Sequence, residues 1–254
     1  MNIVCIGAGN VATHLAIAFK AMGADISQVW SRGSRNAEIL AALTKAQPII
    51  SWEDLDLAAD IYLIAVKDDA IAAVARQLKD VRGIVIHTSG TTSIDVLQGA
   101  GSGQGVLYPL QTFSRTKALD LTKVPFCLEA DRPDTFEKIS AIAHLLSTHV
   151  TAVSSEQRKI LHLAAVFACN FSNHLYEISS ALLQQHQLKF DLLKPLIMET
   201  AEKVQSSLPA DVQTGPAVRN DQQTMEKHLA MLNDTPDLRH IYETLSNSIK
   251  NTHL

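Results

Sequence analysis

The chain has 254 residues, 46% of them hydrophobic and 19% charged, with a formal net charge of −4. This length accommodates one large domain or two smaller ones, and the lack of a basic tract makes nucleic acid an unexpected partner. No apolar run is long enough to span a membrane, and the three cysteines are isolated from one another. We therefore expect a cytoplasmic protein with reduced thiols, no metal and no membrane partner.

The first predicted elements are a strand at residues 2–6, which leaves no room for a signal peptide, and a helix at residues 13–22. Between them, residues 7–12 fit the pattern Gly-x-Gly-x-x-Gly/Ala, and the strand–turn–helix context makes this motif informative. In such a turn Gly7 permits the tight bend, Gly9 lets a pyrophosphate approach the backbone, and the helix start offers N–H groups to the anion. An ordinary glycine turn is the alternative. The predicted cofactor-binding residues here are Gly7, Gly9, Asn10 and Val11.

The second predicted strand, residues 26–30, is followed by hydroxyl and guanidinium side chains. In dinucleotide-binding folds this strand end faces the adenosine ribose, and NAD-specific sites place a carboxylate there. Here the nearest acids are Asp25, before the strand, and Glu38, on the following helix. Because a guanidinium pairs well with a 2′-phosphate, the pattern favours NADP(H), although two solvated arginines are the alternative. The predicted binding residues are Ser31, Arg32 and Arg35.

Strands and helices continue to alternate up to residue 154, which predicts an α/β fold with a doubly wound, Rossmann-type parallel sheet. Further strands are predicted at residues 48–50, 61–66, 84–87, 105–113, 124–129 and 150–153, and helices at residues 36–45, 70–78 and 134–147. Ligands of such sheets bind beyond the carboxyl ends of the strands. The nicotinamide half of the pocket should therefore be lined by Ala65, Val66, Thr88, Ser89 and Gly90.

The second half of the chain is predicted to be helical. Ten of the eleven glycines lie at or before Gly105, and neither glycine nor proline occurs between Pro133 and Pro195. We predict an uninterrupted helix at residues 156–185, and further helices at residues 192–207, 218–232 and 236–249. The predicted organisation is a Rossmann NADP-binding domain at residues 1–154 and a helical substrate and dimerisation domain at residues 155–254.

The long predicted helix carries polar side chains within an apolar run. Their spacing places them on one side of a regular helix, and a buried unpaired amide costs about 1–3 kcal/mol, so these groups require polar partners. They could bond to each other or to a facing helix; as a group we interpret them as a pocket wall. The candidate catalytic residues are His162, His174, Asn170 and Asn173.

Two other stretches suggest ligand contacts. A proline-fixed polar turn at residues 108–113 follows a predicted strand and suits contact with substrate or nicotinamide through Tyr108, Gln111 and Thr112, although it could be an ordinary strand-ending turn. At residues 214–221, Gly215 and Pro216 indicate a helix start, with the proline as its first residue. Arg219 in that loop could bind an anion or contact a second subunit. Alternatively, Arg219 could be an ordinary surface residue and Asp221 a helix-capping residue.

Four segments together resemble a known family: residues 7–12, residues 108–114, the stretch His-Leu-Ala-Ala-Val-Phe-Ala-Cys-Asn-Phe-Ser-Asn-His, and residues 214–221. The family comprises Rossmann-plus-helical NADP oxidoreductases of uncharacterised function. More distantly, the chain is similar to pyrroline-5-carboxylate reductase, ketopantoate reductase and the β-hydroxyacid dehydrogenases. The resemblance implies a nicotinamide between the Rossmann sheet and the helical domain, and a homodimer joined through the helices.

The sequence departs from the β-hydroxyacid dehydrogenases at their acid/base lysine, which stands four residues before an asparagine. The equivalent position here is Val166 or Cys169, and neither can protonate an alkoxide. His162 or His174 could act as the acid instead, because histidine titrates near neutral pH.

Together these observations predict an NADPH-dependent reductase of a small carbonyl or imine compound held between the two domains. Asn170 and Asn173 would orient the substrate, and Arg219 would hold a carboxylate. The alternative is a non-catalytic NADP(H)-binding sensor or regulatory protein derived from such reductases, which the missing lysine favours. The long helices carry apolar residues on more than one face, which favours a homodimer through the helical half.

Overall fold

A computed structural model describes residues 1–114 and 117–253. In this part of the chain, eight strands form one sheet. The strands are β1 (Asn2–Ile6), β2 (Asp25–Trp30), β3 (Gln47–Ile49), β4 (Ile61–Ile64), β5 (Ile84–His87), β6 (Gly103–Pro109), β7 (Phe126–Ala130) and β8 (Val150–Ala152).

The helices connect the strands in the first part of the chain and follow one another in the second. They are α1 (Asn10–Ala21), α2 (Ser34–Thr44), α3 (Asp68–Ala75), α4 (Pro133–Leu146), α5 (Ser155–Ala165), α6 (Ser172–Gln185), α7 (Lys194–Ser206), α8 (Gln222–Met231) and α9 (Pro236–His253).

The strand order is β3-β2-β1-β4-β5-β6-β7-β8, and the predicted Rossmann-type α/β fold is confirmed. Neighbouring strands from β3 to β6 run parallel, whereas β7 runs antiparallel to β6 and departs from the predicted parallel arrangement. A parallel neighbour requires a long crossover, usually a helix. The described residues between β6 and β7 hold only a 3₁₀ turn, Leu121–Lys123, and the chain therefore returns antiparallel.

Both faces of the sheet are buried, which explains the continuous apolar runs in its central strands. Along β1, Ile3 and Cys5 contribute to the cluster that packs on α1, α2 and α4, while Val4 and Ile6 contribute to the cluster around α3. Burying one such side chain stabilises the fold by about 1.5–3 kcal/mol. These two layers hold the carboxyl ends of the parallel strands at one edge of the sheet.

The chain divides into two compact units, Met1–Asn173 and His174–Leu254. Helix α5 belongs to the first unit because Leu161, together with Val153, packs on a small cluster formed by Val106, Tyr108 and Cys127 of the sheet. The predicted domain boundary at residue 154 marks the change from strands to helices and remains a prediction.

Two predictions for the helical half were wrong in detail. The helix predicted as uninterrupted contains a π-helical segment, Val166–Phe171, between α5 and α6. Residues 214–220 do not begin a helix, because positive φ values at Gly215 (111°) and Asn220 (52°) are incompatible with one. Helix α8 instead begins at Gln222, where the Asp221 carboxylate accepts the Thr224 backbone N–H at 3.1 Å.

Among residues 1–114 and 117–253, none of the helices combines the length and the apolar character that a bilayer crossing requires. The same residues contain no group of three or more His, Cys, Asp or Glu side chains that could hold a metal ion.

Candidate cofactor and substrate cavity

A cavity of about 1030 Å³ opens at the carboxyl ends of the parallel strands, where open α/β sheets bind their ligands. Its walls come from the turns after β1, β2, β3, β4 and β5, from α3 and α5, and from the end of β6 with the segment that follows it. Every lining residue belongs to the unit Met1–Asn173.

The turn after β1 is built for close approach of a ligand. Gly7 has φ +117°, and a Cβ there would lie 2.2 Å from the carbonyl oxygen of Ala65, so only glycine fits. A Cβ on Gly9 would meet nothing within 4 Å, which leaves open space at the start of α1. Gly9 provides no side-chain cap for α1, so the first backbone N–H groups suit an anion such as a pyrophosphate. The predicted residues Gly7, Gly9, Asn10 and Val11 all line the cavity.

Asn10 has a second role that the sequence did not indicate. Its side-chain amide donates to the carbonyl oxygen of Phe113 at 2.9 Å, and His14 lies 2.8 Å from the carbonyl oxygen of Ser114. These bonds draw the segment after β6 over the first turn of α1. Phe113 and Gln111 thereby join the lining of the cavity.

Beyond β2, the cavity wall contains Ser31 and Arg32, and their binding to the ribose end of a dinucleotide remains a prediction. Arg35 does not line the cavity, and its role remains a prediction. Two further lining residues, Asn36 and Trp52, carried no motif that could have identified them. Trp52 is placed by stacking on Trp30, with ring centroids 4.2 Å apart.

At the other end, the turns after β4 and β5 line the cavity through all five predicted residues: Ala65, Val66, Thr88, Ser89 and Gly90. Tyr108 of β6 and His162 of α5 face them, and the Tyr108 hydroxyl lies 3.1 Å from Nδ1 of His162. A Cβ on Gly90 would lie 2.6 Å from that nitrogen and 2.9 Å from Cζ of Tyr108. Because glycine has no side chain, the rings of Tyr108 and His162 can pack directly against the turn at Gly90.

The protonation states of Tyr108 and His87, at this end of the cavity, follow from their burial. Burial raises the pKa of Tyr108 to about 12, although the charge of Arg158 acts in the opposite direction, so the phenol keeps its proton at neutral pH. Burial also lowers the pKa of His87 to about 4, assisted by Arg158, and that imidazole stays neutral. Nδ1 of His87 accepts the Ser89 backbone N–H at 3.2 Å and so supports the turn from beneath.

The remaining candidate residues do not line this cavity. Asn170 lies in the π-helical segment and Asn173 just after it, and the regular spacing that would align them with His162 is interrupted there. Nδ1 of His174 lies 3.0 Å from Glu177 Oε2, and the His174 side chain is 60% exposed. His174 and the exposed Arg219 belong to the second unit, and their functional roles remain predictions.

Thr112 also lies outside this cavity, although Gln111 beside it is part of the lining. The Thr112 backbone N–H donates to Gln111 Oε1 at 2.8 Å. Lys67 and Asp68, which were not among the predicted site residues, line the cavity directly after β4. Their position at the carboxyl end of a central strand is the sequence signal that could have identified them as lining residues.

Comparisons with known proteins agree with this architecture. Residues 2–90 match a family model described as NADP oxidoreductase, coenzyme F420-dependent, and residues 124–249 match a domain of unknown function (DUF2520). No curated protein matches the chain.

Solved structures extend the likeness over the full chain. A Bacteroides fragilis protein, provisionally an NADP oxidoreductase, is 41% identical, with 98% of each chain covered and a TM-score of 0.93. An imine reductase from Myxococcus stipitatus in complex with NADP⁺ is 19% identical over 99% of this chain and 92% of its own, with a TM-score of 0.61. A pyrroline-5-carboxylate reductase from Coxiella burnetii is 20% identical over 99% and 97%, with a TM-score of 0.57.

The fold and the cavity are typical of the dinucleotide-binding class, and the family match makes the protein an oxidoreductase of that class. Within that class, the chain belongs to the family of NADP oxidoreductases represented by the Bacteroides fragilis protein. The resemblance noted in the sequence is thereby confirmed.

Proposed function

We propose that this protein is an NADPH-dependent reductase of a small carbonyl or imine compound. The observation that carries the proposal is the His162–Tyr108 pair, which places an imidazole hydrogen-bonded to a phenol in the wall of a dinucleotide-sized cavity. The imine reductase and the pyrroline-5-carboxylate reductase among the fold relatives support the same substrate class.

The residues present fit a nicotinamide dinucleotide. The Gly7–Gly9 turn and the first N–H groups of α1 would hold the pyrophosphate, Ser31 and Arg32 would hold the 2′-phosphate, and the turn around Ser89 would flank the nicotinamide. The bound cofactor supplies a hydride, and the protein must supply orientation and a proton.

His162 is the proton donor in this proposal. In the imidazolium form Nδ1–H donates to the Tyr108 hydroxyl oxygen, which leaves Nε2–H for the substrate oxygen or nitrogen that gains negative charge. Tyr108, whose pKa is raised to about 12, orients the ring rather than acting as the acid. Substrate orientation by Asn170 and Asn173, and carboxylate binding by Arg219, remain predictions.

The proposal is tested by screening small carbonyl and imine compounds with NADPH and following the loss of NADPH absorbance. Turnover of at least one compound is expected. If NADPH binds tightly but no compound in a broad screen is reduced, the reductase proposal is contradicted and the non-catalytic NADP(H) sensor is favoured instead.

Cofactor preference gives a second test. We expect NADPH to bind more tightly than NADH, because a charge-assisted hydrogen bond from Arg32 to the 2′-phosphate contributes about 1.5–3 kcal/mol, or about 10- to 150-fold in affinity. Arg32→Asp should erase or reverse that preference in titration calorimetry. Arg82→Asp is the control, because Arg82 is an exposed arginine just before β5 that does not line the cavity. Equal affinities of the unmodified protein for both cofactors would contradict the proposal.

We also propose that the protein is a homodimer joined through its helical half. Helices α6, α7 and α9 contain no buried residue among those the structure describes, although they and their flanking segments expose large apolar side chains. These include Leu192 (66% exposed), Leu196 (62%), Met198 (59%) and Leu208 (70%). Large apolar side chains left exposed in this number on neighbouring segments of the chain favour an association surface.

Light scattering at micromolar concentration should give the mass of a dimer, and the double variant Leu192→Lys with Leu196→Lys should give a monomer. The control is Leu43→Lys, which changes a side chain that is 58% exposed on α2. A monomer mass for the unmodified protein would refute the dimer.

A further inference from the structure

The largest fully buried side chain among the described residues is a charged one, Arg158 of α5, with 0% exposure. One of its terminal nitrogens forms an ion pair with the Glu129 carboxylate of β7. The other donates to the carbonyl oxygen of Thr92 at 2.6 Å and to the hydroxyl of Ser155 at 3.2 Å. Burying such a charge costs several kcal/mol unless it is paired and hydrogen-bonded.

The Glu129 carboxylate extends this network. It accepts the Ser155 backbone N–H at 2.9 Å and the Ser155 hydroxyl at 2.7 Å, at the first residue of α5. The Ser155 hydroxyl oxygen in turn accepts the backbone N–H of Ile94 at 3.1 Å. The pair of the buried Arg158 guanidinium and the partly buried Glu129 carboxylate therefore joins β7, the start of α5 and the segment that follows β5.

The two side chains of the proposed reactive pair, His162 and Tyr108, lie next to this network. His162 follows Arg158 by four residues, one turn along the same face of α5. Thr92 ends the turn that begins at Ser89, whose hydroxyl oxygen accepts the backbone N–H groups of Thr91 and Thr92 at 3.1 and 3.0 Å. Gly90 of that turn packs against His162 and Tyr108. Arg158 thus holds in place both the part of α5 that carries His162 and the turn at residues 88–92, against which the rings of His162 and Tyr108 pack.

We infer that Arg158 is a positioning residue: with Glu129 it holds α5 against the turn at residues 88–92 and so keeps His162 in register with the Tyr108 hydroxyl. The consequence for hydride transfer rests on the proposed reductase function, whereas the geometric statement does not. Arg158 does not line the cavity, so it is not a catalytic residue.

Two physical arguments favour this role over a purely structural one. A buried ion pair is commonly no more stabilising than apolar side chains of the same volume, so packing alone does not explain its presence. The Arg158 charge also lowers the pKa of Tyr108, His87 and Cys127. For Tyr108 and Cys127 this opposes burial, which raises the pKa of both groups. Asp68 acts in the opposite direction to Arg158 and raises the pKa of Tyr108 and His87.

The test compares Arg158→Met and Arg158→Lys with Lys159→Met, which breaks only the exposed Lys159–Glu156 ion pair on the same helix. The readout is the ¹⁵N NMR spectrum of the His162 ring, assigned by loss of its signals in His162→Gln. In the unmodified protein and in Lys159→Met, the bond to Tyr108 should hold the neutral ring in one tautomer. In Arg158→Met the ring signals should move toward the averaged positions of a free imidazole, and Arg158→Lys should restore them in part.

NADPH affinity, measured on each variant, serves as the folding control and should not change. Once the screen has supplied a substrate, Arg158→Met should lower the single-turnover rate by about tenfold, which is less than the 10²–10⁴-fold typical of losing the general acid itself. If Arg158→Met does not fold, Glu129→Gln replaces it and should shift the ring signals in the same direction. Unchanged His162 signals in the folded variant overturn the inference, even if the protein proves to be a reductase.

Discussion

His162→Gln is expected to slow single-turnover hydride transfer by about 10²–10⁴-fold, the usual cost of losing a general acid. Glutamine keeps a hydrogen-bonding side chain of similar length but cannot release a proton near neutral pH. The affinity for NADPH should be unchanged, because the proposed cofactor-binding residues lie on the turns after β1, β2, β4 and β5. The measurement is stopped-flow loss of NADPH absorbance with a substrate from the screen.

Two further variants make this result specific to His162. His174→Gln changes an exposed histidine that is paired with Glu177, and it should turn over like the unmodified protein. Tyr108→Phe removes the hydroxyl that orients His162 and should have a smaller effect than His162→Gln. If His162→Gln keeps the parent rate, the proton comes from elsewhere and the assignment of α5 as the catalytic wall is wrong.

A pair of glycine variants should separate folding from cofactor binding. Gly7→Ala should destabilise the protein by at least about 2 kcal/mol, because alanine is strained at φ +117° and its Cβ would lie 2.2 Å from the Ala65 carbonyl oxygen. The neighbouring backbone of β4 cannot yield without breaking the bond from Ala65 N–H to the Ile6 carbonyl, 2.8 Å. Urea denaturation measures the loss.

Gly9→Ala is the matched comparison. Its Cβ would enter open space, so the free energy of unfolding should remain close to that of the unmodified protein. The same methyl group would occupy the space in which a pyrophosphate approaches the start of α1, and NADPH should bind at least about tenfold more weakly, a loss of about 1.4 kcal/mol. Unchanged NADPH affinity in Gly9→Ala would show that the dinucleotide does not use this turn.

Much of the first half of the chain was predictable because its signals are local. Strand β5 has the predicted bounds, residues 84–87, since a short apolar run between turns defines a buried strand. The start of α5 is likewise local: Ser154 and Gln157 form a capping box. Helix α1, in contrast, begins at Asn10, three residues before the predicted start, because the glycine turn leads directly into it.

The four polar residues that were predicted to lie on one side of the long helix, His162, Asn170, Asn173 and His174, show where local reasoning fails. Their alignment assumed 3.6 residues per turn from His162 to His174, and the π-helical segment Val166–Phe171 breaks that period. Nothing in the amino-acid composition of this segment marks a π-helix. The spacing rule was sound for a regular helix, but the helix is not regular at the point where the rule was applied.

The sequence by itself determined the Rossmann-type half, the glycine turn and the presence of Ser31 and Arg32 directly after β2, because hydrophobic period, glycine conformation and charge are properties of short segments. Only the tertiary structure decided which histidine meets a partner in the cavity. His162 contacts Tyr108 across 54 residues of sequence, and Arg158 pairs with Glu129 across 29. Both contacts exist because α5 packs on the ends of β6 and β7, and packing between distant elements leaves no periodic trace in the chain.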